Sequence, residues 1–367
     1  MKNLIWIIVI LVIIGGGWWF NQQPETSPAA DEPIKIGLIM PLSGELGVFG
    51  TNVKKGVEIA LEQKNVSTSS IRLISEDSGA FTTNAAFTAF KKVVDVDDVD
   101  VIIGPFGPAQ TLTIAPNIGT TSPVVISVSN CDERFKEYPT LFCIYPGITD
   151  QVLGAVDFMT ARDWRKVYLL TENTEFGILV ENLLKQQTNR VNLVGSDKVV
   201  PNQTKDFRTL ITKAVAASPD VVYAMFAPNE GFVILRQFPP LAKGIPLYIG
   251  TDINKNQLLD IFGQNAPGVY FATRIDEQYE EDFTRRFKEV TGNEPDYFAA
   301  LGHSTMVILL DGLERANNDI QKLPEALTNI VDPITAVRDF KFTDDRTVSV
   351  PLDSYEFKSG RFVRLGE

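Results

Sequence analysis

Short apolar runs alternate with helical patterns along most of the chain, and each run ends in a loop of small and polar residues. The first run, residues 34–40, ends at Pro41 and a glycine-spaced loop, and a helical pattern follows directly. The order restarts after residue 150 with a second set of runs. A repeated strand–helix order with continuously apolar strands predicts parallel sheets covered by helices. The sequence therefore predicts an α/β fold of two doubly wound lobes.

The loops at the carboxyl ends of these predicted strands lie where an open α/β sheet binds ligands. Their small, hydroxyl, aromatic and acidic side chains suit a small-molecule site that is mostly apolar with a few oriented polar groups. Ordinary strand–helix turns also favour Ser, Asn, Gly and Asp, so this simpler interpretation stays open. The candidate ligand-binding residues in these loops are Ser43, Phe106, Gly107, Pro108, Ser129, Asn130, Ala227 and Asp252.

Residues 4–20 form an apolar run without a charged residue. This length lies at the short end of the roughly 17–25 residues that span a bilayer. Lys2 precedes the run and residues 21–32 contain no Lys or Arg, so the positive-inside rule places the following domain outside the cytoplasm. A retained transmembrane helix and a cleaved signal peptide both fit residues 1–20, and the long polar stretch after the run favours the anchor. Residues 21–33 are predicted to be an extended linker.

The chain carries 46 acidic and 34 basic residues, which gives a formal net charge of −12. Such an acidic surface repels phosphate backbones and argues against nucleic-acid binding. Two cysteines occur in the sequence, Cys131 and Cys143. In an exported protein they are expected to form a disulfide that closes the intervening loop, and two unpaired buried thiols are the alternative.

Residue patterns for catalysis, metal binding and cofactor binding are weak throughout the sequence. Gly44, Gly47 and Gly50 lack the spacing of a dinucleotide fingerprint, and no Gly-Lys-Ser/Thr occurs, so a tight turn explains these glycines better. His303 is the only histidine, and its helical setting indicates a packed or solvated ring. No calcium-loop pattern is present, and one histidine singles out no Ser–His arrangement. We therefore expect no enzyme activity, no cofactor and no metal.

Motifs spread over the exported region match one protein family in order and spacing. They include Ile36-Gly37-Leu38, Leu42-Ser43-Gly44, Gly56-Val57-Glu58, Val101-Ile102-Ile103-Gly104-Pro105, Pro123-Val124-Val125-Ile126-Ser127, Gly250-Thr251-Asp252 and Gly292-Asn293-Glu294-Pro295. With these motifs, the chain from Ile34 onward resembles the periplasmic solute-binding proteins of branched-chain amino acid (Leu/Ile/Val) ABC transporters. These proteins have the type I periplasmic-binding fold.

The resemblance implies two Rossmann-like lobes with an interlobe cleft, joined by three hinge crossings. The implied crossings lie near residues 149–150, 273–276 and 331–333. The implied lobes are residues 34–150 with 277–332 (lobe 1) and residues 151–276 with 333–367 (lobe 2). Closure of the two lobes on a ligand would follow from this arrangement.

The resemblance also assigns ligand-binding roles by position. Phe49 corresponds to the aromatic residue that covers the ligand side chain, and Asp252 to the acid that pairs with the ligand ammonium group. Ser129 stands where relatives hold the amino acid's charged groups with hydroxyls and backbone. Phe176 and Ala227 stand at positions that tyrosine often holds.

Several positions depart from the family pattern. Pro108 and Cys131 also correspond to ligand-gripping positions, but Pro108 has neither hydroxyl nor N–H and Cys131 is expected in a disulfide. Ala227 has no ring. An amino acid's charged groups would lose hydrogen bonds of about 1.5–3 kcal/mol each through such changes. The departures therefore predict a ligand more apolar than a branched-chain amino acid, with Phe106 and Phe176 converging on it beside the covering aromatic residue.

From this resemblance we expect an extracytoplasmic solute-binding protein, tethered to the cell membrane by its N-terminal helix, that captures a small organic ligand. The ligand would be amino-acid-like or more apolar, and it would pass to an ABC permease or be reported to a membrane sensor. Asp252 would anchor a cationic or hydroxyl group of the ligand, and Ser129 would hydrogen-bond it. Secretion to the periplasm after signal cleavage is the alternative to the anchor. An interaction module that keeps the fold without a ligand is the alternative function.

Overall fold

The computed structural model describes most of the exported region. The described residues are 32–79, 82–201, 203–226, 228–250, 255–263, 268–272, 279–330, 334–337, 340–348 and 354–365. The predicted anchor or signal peptide, most of the linker, Ala227, Asp252 and the later two hinge crossings lie outside these residues. Within the described part of the chain, no helix combines the length and apolar character needed to cross a membrane.

Parallel strands form the first sheet, in the order β2-β1-β3-β4-β5. The strands are β1 (Ile34–Met40), β2 (Ile71–Asp77), β3 (Val101–Phe106), β4 (Val124–Asn130) and β5 (Leu141–Tyr145). Connecting helices are α1 (Gly47–Gln63), α2 (Thr83–Asp95) and α3 (Pro108–Ile114). Ile36 of β1 lies opposite Leu73 on one side and Val101 on the other. A strand paired on both edges and covered on both faces is continuously apolar, which explains the first run in the sequence.

The second sheet has the strand order β12-β11-β10-β9-β8-β6-β7. Its parallel strands are β6 (Lys166–Glu172), β7 (Asn192–Val199), β8 (Val221–Met225), β9 (Leu247–Ile249) and β10 (Val269–Ala272). The antiparallel edge consists of β11 (Ser354–Lys358) and β12 (Arg361–Arg364). The accompanying helices are α4 (Ile148–Ala161), α5 (Glu175–Gln186), α6 (Arg208–Ala216), α7 (Pro228–Gln237) and α8 (Lys255–Phe262). The predicted α/β fold with two sheets is confirmed.

Three later helices pack around the first sheet. They are α9 (Glu281–Thr291), α10 (Tyr297–Arg315) and α11 (Leu323–Thr328). Helix α10 crosses α1 so closely that the two backbones touch. A Cβ atom at Gly56 would lie 2.0 Å from the carbonyl oxygen of Ala299, and one at Gly302 would lie 2.1 Å from that of Val53. Residues without a side chain are therefore required at both positions.

The segment after α11 also belongs with the first sheet. Phe340 and Phe342 are buried in the same core, and Val348 N donates to the carbonyl oxygen of Cys143 in β5 at 3.1 Å. The predicted start of the last lobe 2 segment, residue 333, is therefore too early, because these aromatic side chains are buried on the first sheet. Strands β11 and β12 do lie in the second sheet. The other lobe boundaries stay predictions.

The predicted disulfide is present. Cys131, just beyond β4, is bonded to Cys143 in β5, with their Cα atoms 5.6 Å apart. The loop between them contains a short 3-10 turn, Glu133–Glu137, in which the backbone N–H of Arg134 donates to the Asp132 carboxylate. The disulfide thus holds this turn against the carboxyl end of β4.

His303 lies in the contact between α1 and α10 and is 4% exposed. Its Nε2 atom is 2.7 Å from Oε1 of Gln63, and its ring packs against Phe283 with centroids 4.6 Å apart. Burial, together with the positive charge of Lys64, lowers the pKa of His303 to about 4. The ring is therefore packed, which is one of the two roles predicted for it.

Gly302→Ala is expected to lower the free energy of unfolding by about 2–3 kcal/mol, because the new methyl group meets main-chain atoms of α1. Gly312→Ala on the same helix is the matched control, since the nearest atoms to its methyl group belong to the side chains of Leu323 and Leu327 and not to the main chain. There the helix propensity of alanine, worth about 1 kcal/mol, offsets the crowding. Urea unfolding measures both variants, and equal stability of the two would contradict the backbone crossing.

The lowered pKa of His303 makes stability depend on pH. Below about pH 6.5 the unfolded imidazole takes up a proton, whereas the folded one stays neutral down to about pH 4. The free energy of unfolding therefore falls as the pH falls through this window. His303→Gln is expected to lose about 3 kcal/mol less than the wild type between pH 7 and pH 4. Denaturant unfolding across this range measures the difference, and parallel pH profiles would count against it.

Candidate ligand-binding cleft

A cavity of about 890 Å³ lies between the carboxyl ends of strands from both sheets. The turn from β3 to α3, the end of β4 and the first turn of α10 line it on one side. The ends of β6 and β8 and the start of α5 line it on the other side. The lining residues that matter most below are Phe106, Pro108, Ser129, Tyr145 and Phe298 from the first side, and Glu172, Phe176, Met225 and Phe226 from the second.

Aromatic rings form one wall of the cavity. Phe298 of α10 lies beside Phe106, with ring centroids 5.6 Å apart, and beside Tyr145, with centroids 6.5 Å apart. Phe49 packs edge-on against Phe298 at 4.9 Å and is 4% exposed. In this structure Phe49 packs against Phe298, and it is the ring of Phe298 that lines the cavity. Phe176, in the first turn of α5, contributes a ring from the opposite side.

The turn between β3 and α3 is built for close approach to the cavity. Gly107 has a φ of +113°, a conformation that residues with a side chain rarely adopt. Pro108 follows as the first helical residue, where its missing N–H costs nothing. Thr111 braces the turn, because its N–H and its hydroxyl both donate to the Gly107 carbonyl, at 3.1 and 2.9 Å. Phe106 is thereby held at the cavity edge.

A row of hydroxyl groups leads from the cavity into the first lobe. Ser129 lines the cavity, and its Oγ is 2.7 Å from the Oγ of Ser127. Ser127 Oγ is in turn 2.6 Å from Oγ1 of Thr111. All three side chains are buried. Ser129 is therefore a firmly held polar group in a mostly apolar surface.

Charged side chains at the cavity are mainly acidic: Asp132, Glu133, Glu172 and Glu175 accompany Arg134 among the described lining residues. Glu172, the last residue of β6, is buried. Arg134 binds Asp132 through Nε and Nη2, each at 2.8 Å, and this pairing lowers the pKa of Asp132 and raises that of Arg134. Arg134 Nη2 also lies 3.6 Å from Oε2 of Glu175, which begins α5 on the opposite side. An ion pair therefore crosses the cleft.

Metal ligands are not grouped at this site. Across the described residues, no set of three His, Cys, Asp or Glu side chains could hold a metal ion. The polar groups of the cavity can instead form hydrogen bonds and ion pairs with an organic molecule, and its rings can cover an apolar one. The arrangement is suited to binding.

Most of the predicted site residues that the structure describes meet at this cavity. Those that line it are Phe106, Gly107, Pro108, Ser129, Asn130 and Phe176, together with Cys131. Ser43 is exposed, and its hydroxyl donates to the carboxylate of Asp77, so it ties the loops after β1 and β2 together. The roles predicted for Ala227 and Asp252 fall outside the described residues and stay predictions.

Sequence reasoning missed several lining residues. Glu172 ends a strand and Phe226 directly follows one, so the strand-end rule would have found both. Tyr145 also ends a strand, β5. Phe298 carries no such signal, because it lies on a late helix whose partner sheet the local pattern does not specify.

Comparison with known proteins gives relatives over nearly the whole chain. The Leu/Ile/Val-binding protein homolog 3 of Brucella melitensis biotype 1 is 23% identical over 355 residues, which cover 92% of this chain and 95% of the relative. The Leu/Ile/Val-binding protein of Rhizobium johnstonii is 22% identical over 353 residues, with the same coverage of 92% and 95%.

Solved structures share the fold. A solute-binding protein of an ABC transporter from R. palustris, in complex with benzoate, superposes with a TM-score of 0.80 at 18% identity and covers 91% of this chain and 96% of its own. A branched-chain amino acid transporter substrate-binding protein from Streptococcus pneumoniae, in complex with isoleucine, gives 0.77 at 19% identity and covers 91% and 100%.

Family membership follows from the match to a sequence family together with this architecture. The sequence pattern of the periplasmic binding proteins matches residues 33–361, a range that includes the first sheet, every strand of the second sheet up to β11 and the described residues that line the cleft. The chain belongs to the periplasmic binding protein family.

Proposed function

We propose that this protein is the extracytoplasmic solute-binding component of an ABC transporter and that its ligand joins an apolar body to an ammonium group. The observation that carries the proposal is the cavity of about 890 Å³, lined by aromatic rings and by an excess of carboxylates. Its volume lies within the roughly 300–1,000 Å³ of small-molecule sites. Because both sheets contribute lining residues, a ligand that contacts both favours closure, which a permease can detect.

The aromatic wall supports an apolar ligand body. Phe106, Tyr145 and Phe298 form one side and Phe226 contributes to the other. A ring or branched chain bound between them is therefore shielded from water on both of its faces. Such burial contributes about 25 cal/mol per Å² of apolar surface. Phe49 acts indirectly in this proposal, by holding Phe298 in place. The isoleucine and benzoate complexes of similar proteins support a ligand of this size.

The charges of the cleft support an ammonium group. Four carboxylates accompany one guanidinium in the described lining, and Arg134 is already bonded to Asp132. A ligand carboxylate would meet net repulsion there, whereas an ammonium group gains charge-assisted hydrogen bonds of about 1.5–3 kcal/mol each. We assign Glu172 as its buried partner, and Asp252, whose role rests on the family resemblance, as a second. The aromatic rings attract a cation as well.

An interaction module that has lost its ligand remains the competing function. Such a module would be supported by a cleft filled with its own side chains. The open cavity and the polar groups at its edge support ligand binding instead. A membrane sensor rather than a permease could still receive the bound form, since the same closure would signal to either partner.

We propose that residues 1–20 anchor the protein in the membrane, with residues 21–33 as a spacer, on the basis of the charge-free apolar run after Lys2. The full chain expressed in a bacterial host should stay with the membrane fraction through an alkaline carbonate wash. A chain that starts at residue 32 should remain in the supernatant, which is the control. If expression of the full chain instead gives a soluble protein that lacks its first residues, the signal peptide has been cleaved.

Titration calorimetry tests the charge preference with three ligands that share a phenyl ring on a short alkyl chain and differ in their charged groups: phenethylamine, phenylalanine and 3-phenylpropionate. We expect the two ammonium-bearing ligands to bind and 3-phenylpropionate to bind about 100-fold more weakly, the equivalent of one lost charge-assisted bond of about 2.7 kcal/mol. Isopentylamine, leucine and 4-methylpentanoate form the branched series that compares the two bodies. Tighter binding of the carboxylates than of the amines would overturn the proposed ligand class.

Two matched variants separate specific pairing from general acidity of the cleft. Glu172→Gln should weaken binding of phenethylamine about tenfold, because a buried charged partner is lost. Glu175→Gln should change the affinity by less than about threefold, because its side chain is 83% exposed and solvent screens its charge. Equal effects of the two substitutions would remove Glu172 from its assigned role.

A further inference from the structure

The hydroxyl chain of Thr111, Ser127 and Ser129 has proton positions that follow from its distances. Thr111 Oγ1 lies 2.9 Å from the carbonyl oxygen of Gly107 and 2.6 Å from Ser127 Oγ, and Ser127 Oγ lies 2.7 Å from Ser129 Oγ. A hydroxyl group has one proton to donate and lone pairs that accept. Three short contacts are thus served by three protons.

The carbonyl of Gly107 fixes the direction of the chain, because a carbonyl oxygen can only accept. Thr111 must give its proton to this carbonyl, as threonine in a helix commonly does. Either hydroxyl can be the donor in each of the other two contacts, so with the Thr111 proton on the carbonyl the consistent arrangement has Ser127 donating to Thr111 and Ser129 donating to Ser127. In this arrangement Ser129 turns its proton into the lobe and its lone pairs toward the cavity.

The competing acceptors are more distant. The carbonyl oxygen of Pro105 is 3.4 Å from Ser127 Oγ, and that of Asn130 is 3.3 Å from Ser129 Oγ. A chain running in the opposite direction would leave the Gly107 carbonyl with the Thr111 N–H as its donor from this residue, would lose the 2.9 Å hydroxyl bond and would depend on the 3.3 Å contact instead. The inward direction places every proton on a shorter contact.

We infer that Thr111 and Ser127 are positioning residues that make Ser129 a hydrogen-bond acceptor, so that the cleft selects a ligand that donates a hydrogen bond at this point. The inference rests on the proposed function and deepens it, since an ammonium group donates and a carboxylate does not. Thr111 and Ser127 are 0% exposed and Ser129 is 4% exposed, so water has little access to redirect the protons.

The specificity comes from the bond between Thr111 and the Gly107 carbonyl, which anchors the hydroxyl chain and fixes its direction. A serine hydroxyl that can rotate serves a donor or an acceptor equally well, whereas Ser129 would have to break its bond to Ser127 before it could donate to a ligand. A carboxylate placed there faces lone pairs instead of a proton, which excludes it by an unfavourable contact. Removal of the anchor should therefore change which ligand is preferred.

Thr111→Val tests this directly, because it removes the anchoring hydroxyl while keeping a side chain of similar shape. Ser127 can then donate to Ser129, and Ser129 can turn its proton toward the cavity. We expect the ratio of phenethylamine affinity to 3-phenylpropionate affinity, measured by calorimetry, to fall about tenfold, the equivalent of one reoriented hydrogen bond.

Thr113→Val is the matched control. Thr113 lies on the same helix, and its hydroxyl donates to the carbonyl of Ala109 at 2.8 Å in the same manner. The affinity ratio of this variant should equal that of the wild type. Thr111→Ser retains a hydroxyl at the anchor and should restore the wild-type ratio. Ser127→Ala interrupts the chain at a second point and should lower the ratio in the same direction as Thr111→Val.

The outcomes separate the two proposals. A merely structural role for Thr111 would weaken both ligands together and leave the ratio unchanged, which would overturn the role of the hydroxyl chain. If the wild type prefers phenethylamine and both Thr111→Val and Ser127→Ala keep that preference, the role of the hydroxyl chain is overturned while the proposed ligand class stands. A wild type that binds neither probe overturns the proposed ligand class and the inference that rests on it.

Discussion

The backbone contact between α1 and α10 determines where the ligand-facing wall stands. Gly56 and Gly302 let the two helices touch. Asn52 of α1 donates to the carboxylate of Asp296 at 2.8 Å, and Asp296 caps the start of α10 by accepting an N–H from its first turn. Phe298 lies in that same turn and is thereby fixed beside the ends of β3 and β5. A helix encoded after the parallel strands of the second sheet thus completes the wall of the first.

The parts of the site that follow a strand were predictable from the sequence, and the parts brought in from afar were not. Phe106 and Ser129 come at strand ends, and parallel strands are recognisable because burial on both faces makes them continuously apolar. The helical spacing around Phe298 indicates a buried face without specifying which sheet covers it. The same limit explains why the predicted start of the last lobe 2 segment, residue 333, is too early. The short extended segment that contains Phe340 has no hydrophobic period that identifies the sheet on which it packs.

Two positions of the first-lobe wall offer no proton to a ligand. Pro108 has no N–H at the start of α3, and the proton of Ser129 is turned inward by its neighbours in the hydroxyl chain. The acidic residues beside the cavity add acceptors of the same kind. The departure of Pro108 from the family pattern and the negative charge of the cleft therefore favour the same kind of ligand, one that donates hydrogen bonds.

Arg134 and Glu175 face each other across the cleft, with their charged atoms 3.6 Å apart. Their side chains are 53% and 83% exposed, and exposed pairs of this kind contribute about 0–1 kcal/mol. Such a contribution changes the ratio of two arrangements at most roughly fivefold, and salt screens it over a Debye length of about 8 Å at physiological ionic strength. The resting separation of the two sides therefore responds to the ionic strength outside the cell, whereas the residence time of a captured molecule depends on the contacts that the molecule itself makes.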